Sequence, residues 1–135
     1  MTELLVVIGL LGILSVTGLA SYTGSQQNGR DGRRRADLET LRQSLELYNN
    51  DTGDYPVQTG EVEDLMTPLV PTYISSVNFP QDPKTDRYYY YEGSTTTYNL
   101  CAWLESKKAT DPGCPNAAAE CSGAGDLCNY GVTQP

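Results

Sequence analysis

Histidine is absent from this 135-residue chain. Its absence removes the usual general base, the usual partner of a nucleophilic serine or cysteine, and the commonest transition-metal ligand. An enzyme is therefore not expected. Positive charge is scarce as well: nine Lys and Arg stand against seventeen Asp and Glu, a formal net charge of −8 at pH 7. Most of such a surface repels nucleic-acid phosphates and acidic headgroups, so no specific nucleic-acid site is expected. Close cysteine pairs of the Cys-x-x-Cys kind are also missing, because Cys101, Cys114, Cys121 and Cys128 follow one another at 13, 7 and 7 residues. Four cysteines so spaced in a small polar domain point to two disulfides made in an oxidising compartment rather than to a zinc site. The length leaves room for one small domain and one special segment.

The special segment is a single long apolar run. Leu4 to Ala20 reads LLVVIGLLGILSVTGLA, uncharged, with Ser15 and Thr17 as its polar interruptions. As a helix rising about 1.5 Å per residue it is roughly 25 Å long, at the short end for a bilayer crossing. A secretory signal peptide would lead with basic charge and close on a small-x-small cleavage site, whereas the charge ahead of this run is Glu3. A carboxylate at the lip of an apolar helix is costly unless a cation or proton neutralises it or it stays wet at headgroup level. The cation type at hand is an N-terminal amine, its own or a neighbour's.

Gly18, Gly24, Gly29 and Gly32 follow among Ser, Thr, Asn and Gln. Each glycine weakens a helix by about 1 kcal/mol relative to alanine, so a continuous helix is expected to falter here. Arg30, Arg33, Arg34 and Arg35 come next, read either as a solvated face or as partners for carboxylates of a neighbouring copy. Leu38, Leu41, Leu45 and Tyr48 then recur at the spacing of one helical face, which predicts an amphipathic helix over 33–50. Gly53 and Tyr55-Pro56 stop it. The acidic turn at 49–54 lacks the residue order of a calcium loop and reads as a helix end; Asn50-Asp51-Thr52 is a minimal glycosylation sequon. A short helix is expected over 63–69 and strands over 88–91, 95–104 and 129–133. In the middle strand Tyr98, Leu100, Ala102 and Leu104 share the face expected to meet the helix, which turns Cys101 toward the tail. That tail, from Asp111 on, is too rich in Gly, Pro, Ala and Asn to order itself by apolar burial. Among the three pairings that four cysteines allow we expect Cys101–Cys128 with Cys114–Cys121, the others staying open.

The run Met1-Thr2-Glu3-Leu4-Leu5-Val6-Val7-Ile8-Gly9-Leu10-Leu11-Gly12-Ile13-Leu14 resembles the mature N-terminus of type IV pilins and type II secretion pseudopilins. Leu47 to Pro56, Leu69 to Ile74 and Phe79 to Pro83 resemble the G-type major pseudopilins and related pilins, so that the likeness covers roughly residues 1 to 105. In that family the glutamate is the fifth residue of the mature chain and pairs with the methylated N-terminal amine of an adjacent subunit; here it is the third. The resemblance implies that Met1, Thr2 and Glu3 set assembly register, and that Leu4, Leu5, Val6, Val7, Ile8, Leu10, Leu11, Ile13 and Leu14 build a filament core. It implies a glycine-rich region that melts in the filament, where the residues alone allow a plain linker. It also implies a calcium site in the C-terminal region, for which Asp111, Glu120 and Asp126 offer oxygen ligands without any matching motif. No cofactor is therefore expected, the disulfides stapling the tail in the metal's place.

The expected fold is α+β and pilin-like. A long N-terminal helix, with an apolar first half, a Gly-rich interruption and an amphipathic second half, packs on a small antiparallel sheet with a disulfide-stapled C-terminal loop region. Residues 1–24 form the membrane or filament-core helix; residues 25–135 form the head, with its helix at 33–50 and its sheet within about 86–133. The expected function is that of a major pilin polymerising into an extracellular type IV pilus-like filament for adhesion, twitching motility or DNA uptake. Two alternatives stand beside it: a type II secretion pseudopilin, and a monomeric membrane-anchored binding module. By resemblance the partners are further copies in a helical homopolymer, a prepilin peptidase, an inner-membrane platform and an assembly ATPase. Before assembly the chain would sit in the cytoplasmic membrane with its head outside.

Overall fold

A computed structural model of the chain describes residues 2–108, 111–116 and 118–134, and for residues 16–21 the backbone alone. Helix α1 runs from Thr2 to Thr52 without a break. The interruption expected among Gly18, Gly24, Gly29 and Gly32 is therefore corrected. The glycines are spread over about four turns, and opening the helix there would forfeit backbone hydrogen bonds and require a second, unfavourable nucleation downstream. A cost of about 1 kcal/mol at each glycine does not outweigh that. The helix ends where Gly53, at φ +87°, supplies a left-handed residue whose N–H bonds the Asn49 carbonyl at 2.7 Å.

Beyond α1 the chain forms strand β1 (Thr59–Glu61), a 3₁₀ turn (Val62–Leu65) continuing into the single-turn helix α2 (Met66–Leu69), a second 3₁₀ turn (Ser76–Asn78), and strands β2 (Tyr90–Gly93), β3 (Tyr98–Ala102) and β4 (Tyr130–Thr133). The four strands make one antiparallel sheet in the order β1-β2-β3-β4. Strand β1 lies outside the region where the sheet was expected. Thr-Gly-Glu carries no alternating pattern, and its pairing through Gly60 opposite Tyr91 is imposed by β2.

The buried stripe of α1, Leu38, Leu41 and Leu45, meets Tyr98, Leu100 and Ala102 of β3, Tyr89 and Tyr91 around β2, and Val62, Leu65, Leu69, Ile74 and Phe79 from the connecting segment. Tyr48 extends the stripe at the edge of this core, edge-on to Tyr73 at 5.4 Å. Burying a leucine fully is worth about 1.5–3 kcal/mol, so this stripe holds the second half of α1 on the head. Buried tyrosines add directed bonds to carboxylates of the same helix. Tyr55 and Tyr98 donate to Glu46, each at 2.9 Å, and Tyr89 donates to Asp37 at 2.7 Å.

The disulfides are Cys101–Cys114 and Cys121–Cys128. The expected Cys101–Cys128 and Cys114–Cys121 pairs are thus corrected, and the ladder explains why. Cys101 faces Gly131 on β4, and a Cβ built at Gly131 would stand 2.8 Å from the Cys114 Cα. The segment at Cys114 therefore crosses directly over Gly131, which brings it onto Cys101. Cys128 is engaged elsewhere: its N–H bonds the Ala119 carbonyl, and a bridge between Glu120 and Leu127 folds 119–128 back on itself, placing Cys128 beside Cys121.

Candidate functional site

Two features of α1 carry the functional argument. The first is its apolar start. Thr2 and Glu3 are exposed, and Leu4, Leu5, Val6, Val7, Ile8, Leu10, Leu11, Ile13 and Leu14 leave between 51% and 70% of their surface open. The Ser15 hydroxyl donates to the Leu11 carbonyl at 2.7 Å and so satisfies itself within the helix. Met1 lies outside the described residues. Among the described residues no helix is long and apolar enough to cross a membrane; the uncharged run of the sequence continues into residues 16–21, whose side chains fall outside that statement.

The second feature is the point where the head takes hold. Asp31 and Arg34, three residues apart on one face, are fully buried. Arg34 donates from Nε and Nη2 to the two oxygens of Asp82, at 2.7 and 2.9 Å, and from Nη1 to Asp31 and Glu105. Arg30 grips Glu105 with Nε at 2.7 Å and Nη2 at 2.6 Å, and Lys84 reaches the same carboxylate at 3.3 Å. Asp31 in turn accepts the N–H groups of Glu105 and Ser106 and the Ser106 hydroxyl, so it caps the turn that follows β3. Asn129 holds the same turn from behind, accepting the Leu104 N–H and donating to its carbonyl.

Three cations and three carboxylates thus close a neutral cluster. The hydrogen bonds from Arg30, foremost, with those of Arg34 and Lys84, hold the Glu105 carboxyl down at about 2. Burial works to lower the basicity of Arg34, but Asp82 and Glu105 more than offset it and its pKa stands raised. Burial likewise works against the Asp31 anion, and the Ser106 and Glu105 donors prevail, leaving its carboxyl below the usual range. A buried charge survives only when paired in this way.

For Arg30, Arg34 and Arg35 this arrangement corrects the expectation of service to neighbouring copies. Arg30 and Arg34 are committed to the cluster, and Arg35 bonds Asp111 at 2.8 Å beneath the Tyr130 ring. Carboxylates of the same chain lie in direct reach, and partly desolvated guanidinium groups take them. Arg33 alone of the four keeps 62% of its side chain exposed, with a long 3.7 Å approach to Asp37. Asp82, Lys84, Glu105 and Asn129 were not singled out from sequence. Each stands 48 or more residues from the α1 group it meets, or acts through a turn no local pattern announces.

The calcium site implied by resemblance does not fit these residues. Asp111 accepts from Arg35 and the Lys108 N–H, and Asp126 from Arg87 and Ser122, while Glu120 lies exposed on a separate bridge. Among the described residues no group of three or more His, Cys, Asp or Glu converges as a metal site.

The model of one protein family, described as type II secretion system (T2SS), protein G, matches residues 21–113. Comparisons with curated proteins and with solved structures gave no match. The family match moves the functional reading from a pilus for adhesion, motility or DNA uptake toward the secretion alternative.

Proposed function

The chain belongs to the type II secretion system protein G family, and from that premise we propose that it is a pseudopilin, a structural subunit that polymerises into a short filament serving protein secretion. The observation that carries this reading is the contrast within α1. About nine large apolar side chains before Ser15 lie open, while the helix from Arg30 onward is locked to a folded head. An apolar helix of that kind gains free energy by burying its faces against copies of itself, and hydrophobic burial is the dominant driving force of association. The heads would then tile the outside of the filament.

Before assembly the apolar helix would hold the chain in the cytoplasmic membrane with the head outside. Glu3, in the company of Thr2 and Met1, would set axial register against the amine of a neighbour. The secretion platform, its ATPase and a prepilin peptidase would be the machinery partners. In cells that carry a secretion apparatus and overproduce the full-length chain, the expected result is filaments visible by electron microscopy and ladders of cross-linked subunits. Glu3→Ala should reduce both while leaving head unfolding unchanged. A wild-type chain that stays monomeric in the membrane fraction would instead support an anchored binding module.

A further inference from the structure

The C-terminal loop region contains two arrangements built alike. Arg35 bonds Asp111 at 2.8 Å while its guanidinium carbon sits 5.5 Å from the centroid of Tyr130. Arg87 bonds Asp126 at 3.1 Å with its guanidinium carbon 3.6 Å from the centroid of Trp103. In each case a planar cation lies against an aromatic ring and holds one acid of the loop. Each acid also receives donors from the loop itself: Asp111 takes the Lys108 N–H at 2.8 Å, and Asp126 takes the Ser122 hydroxyl at 3.3 Å. The Asp111 carboxyl stands below its usual range through the Lys108 N–H and then Arg35.

The positions of these acids relative to the disulfides complete the pattern. Asp111 lies three residues before Cys114, and Asp126 lies between Cys121 and Cys128. Each disulfide loop is thus tied back to the head by one arginine, from α1 in the first case and from the segment before β2 in the second.

We propose that Arg35 and Arg87 are the fixed cations of this loop region, and that the head folds, and its loop stays ordered, without any divalent metal ion. The two acids with the best placement to serve as calcium ligands are committed to guanidinium groups of the same chain, and Glu120 does not join them. A bound ion would have to share each carboxylate with a ring-stacked guanidinium that already holds its Oδ2, and the positive charge beside it leaves the ion little net affinity. This inference stands on the head alone and does not depend on filament assembly.

The test is thermal unfolding of the full-length chain in detergent, followed by circular dichroism with chelator and then with excess calcium chloride. The expected result is one midpoint in both. A calcium site filled at a hundred times its dissociation constant would raise the midpoint by roughly 10 °C, and that outcome would overturn the proposal. Arg35→Ala and Arg87→Ala should each lower the midpoint by several degrees, equally in chelator and in calcium, with Arg87→Lys recovering part of the loss. Unchanged midpoints in both alanine variants would also overturn it. Should an alanine variant fail to fold, the wild-type comparison decides the question by itself.

Discussion

Arg34 meets Asp82 through two parallel hydrogen bonds, Nε to Oδ2 at 2.7 Å and Nη2 to Oδ1 at 2.9 Å, across 48 residues of sequence and with both side chains closed to solvent. The pair turns a surface-like helix face into an anchorage. Just ahead of it Asn28, Arg30 and Asp31 already bond the turn that follows β3, and from there onward the helix is part of the head. A subunit whose exposed half-helix works in a polymer needs a junction of that kind, because any load on the apolar half reaches the head through the first residues that are held.

Arg34→Ala should cost about 3–5 kcal/mol of unfolding free energy, since it leaves Asp31, Asp82 and Glu105 buried around a missing cation. Arg33→Ala, at an exposed position, should stay within about 0.5 kcal/mol of the parent. Urea unfolding of both variants measures the contrast, and similar losses in the two would refute the assignment of the buried cluster as the anchorage.

Acid should loosen this junction in a defined window. Glu105 has its carboxyl held at about 2 in the folded chain against an ordinary 4.5, so the unfolded state binds protons first. The stability Glu105 contributes is complete above roughly pH 5 and is lost as pH falls from there toward 2. Asp31 and Asp111, also depressed, act in the same direction, whereas Asp37, raised by burial, acts against it. Unfolding midpoints taken from pH 7 to pH 2 should decline below about 4.5, and Glu105→Gln should flatten that decline; an unchanged slope in the variant would count against the assignment.

Gly131→Ala should destabilise the head by about 1–3 kcal/mol. The added methyl meets the Cys114 Cα at 2.8 Å, the Gly113 carbonyl at 2.9 Å and the Pro115 ring at 2.9 Å, all in the segment the first disulfide holds. Gly123→Ala, with nothing within 4 Å and no positive φ, is the control and should change the unfolding midpoint by a degree or two at most.

Proteolysis of the unreduced protein followed by mass spectrometry should yield the linked peptides Cys101–Cys114 and Cys121–Cys128. A Cys101–Cys128 peptide would contradict the crossing of the Cys114 segment over Gly131 and, with it, the ordering of the tail.

Local chemistry determined much of what could be read before the structure. The uncharged run before Ala20, the leucine stripe at 38, 41 and 45, the stop at Gly53 and the face of β3 that carries Tyr98, Leu100 and Ala102 all follow from periods of 3.6 or 2 residues and from the φ that glycine allows. Such signals lie within one element, so the sequence displays them directly. Tertiary structure alone decided which carboxylate each arginine meets, which cysteines join, and that Thr59–Glu61 is a strand. Those outcomes link groups across loops of different length, and closing one loop rather than another differs by only about 0.6 kcal/mol for each doubling of its length. Chain separation therefore barely discriminates among the possible partners. The choice falls to geometry, namely where β4 places Gly131 beneath Cys114 and where the turn after β3 brings Glu105 to Arg30 and Arg34.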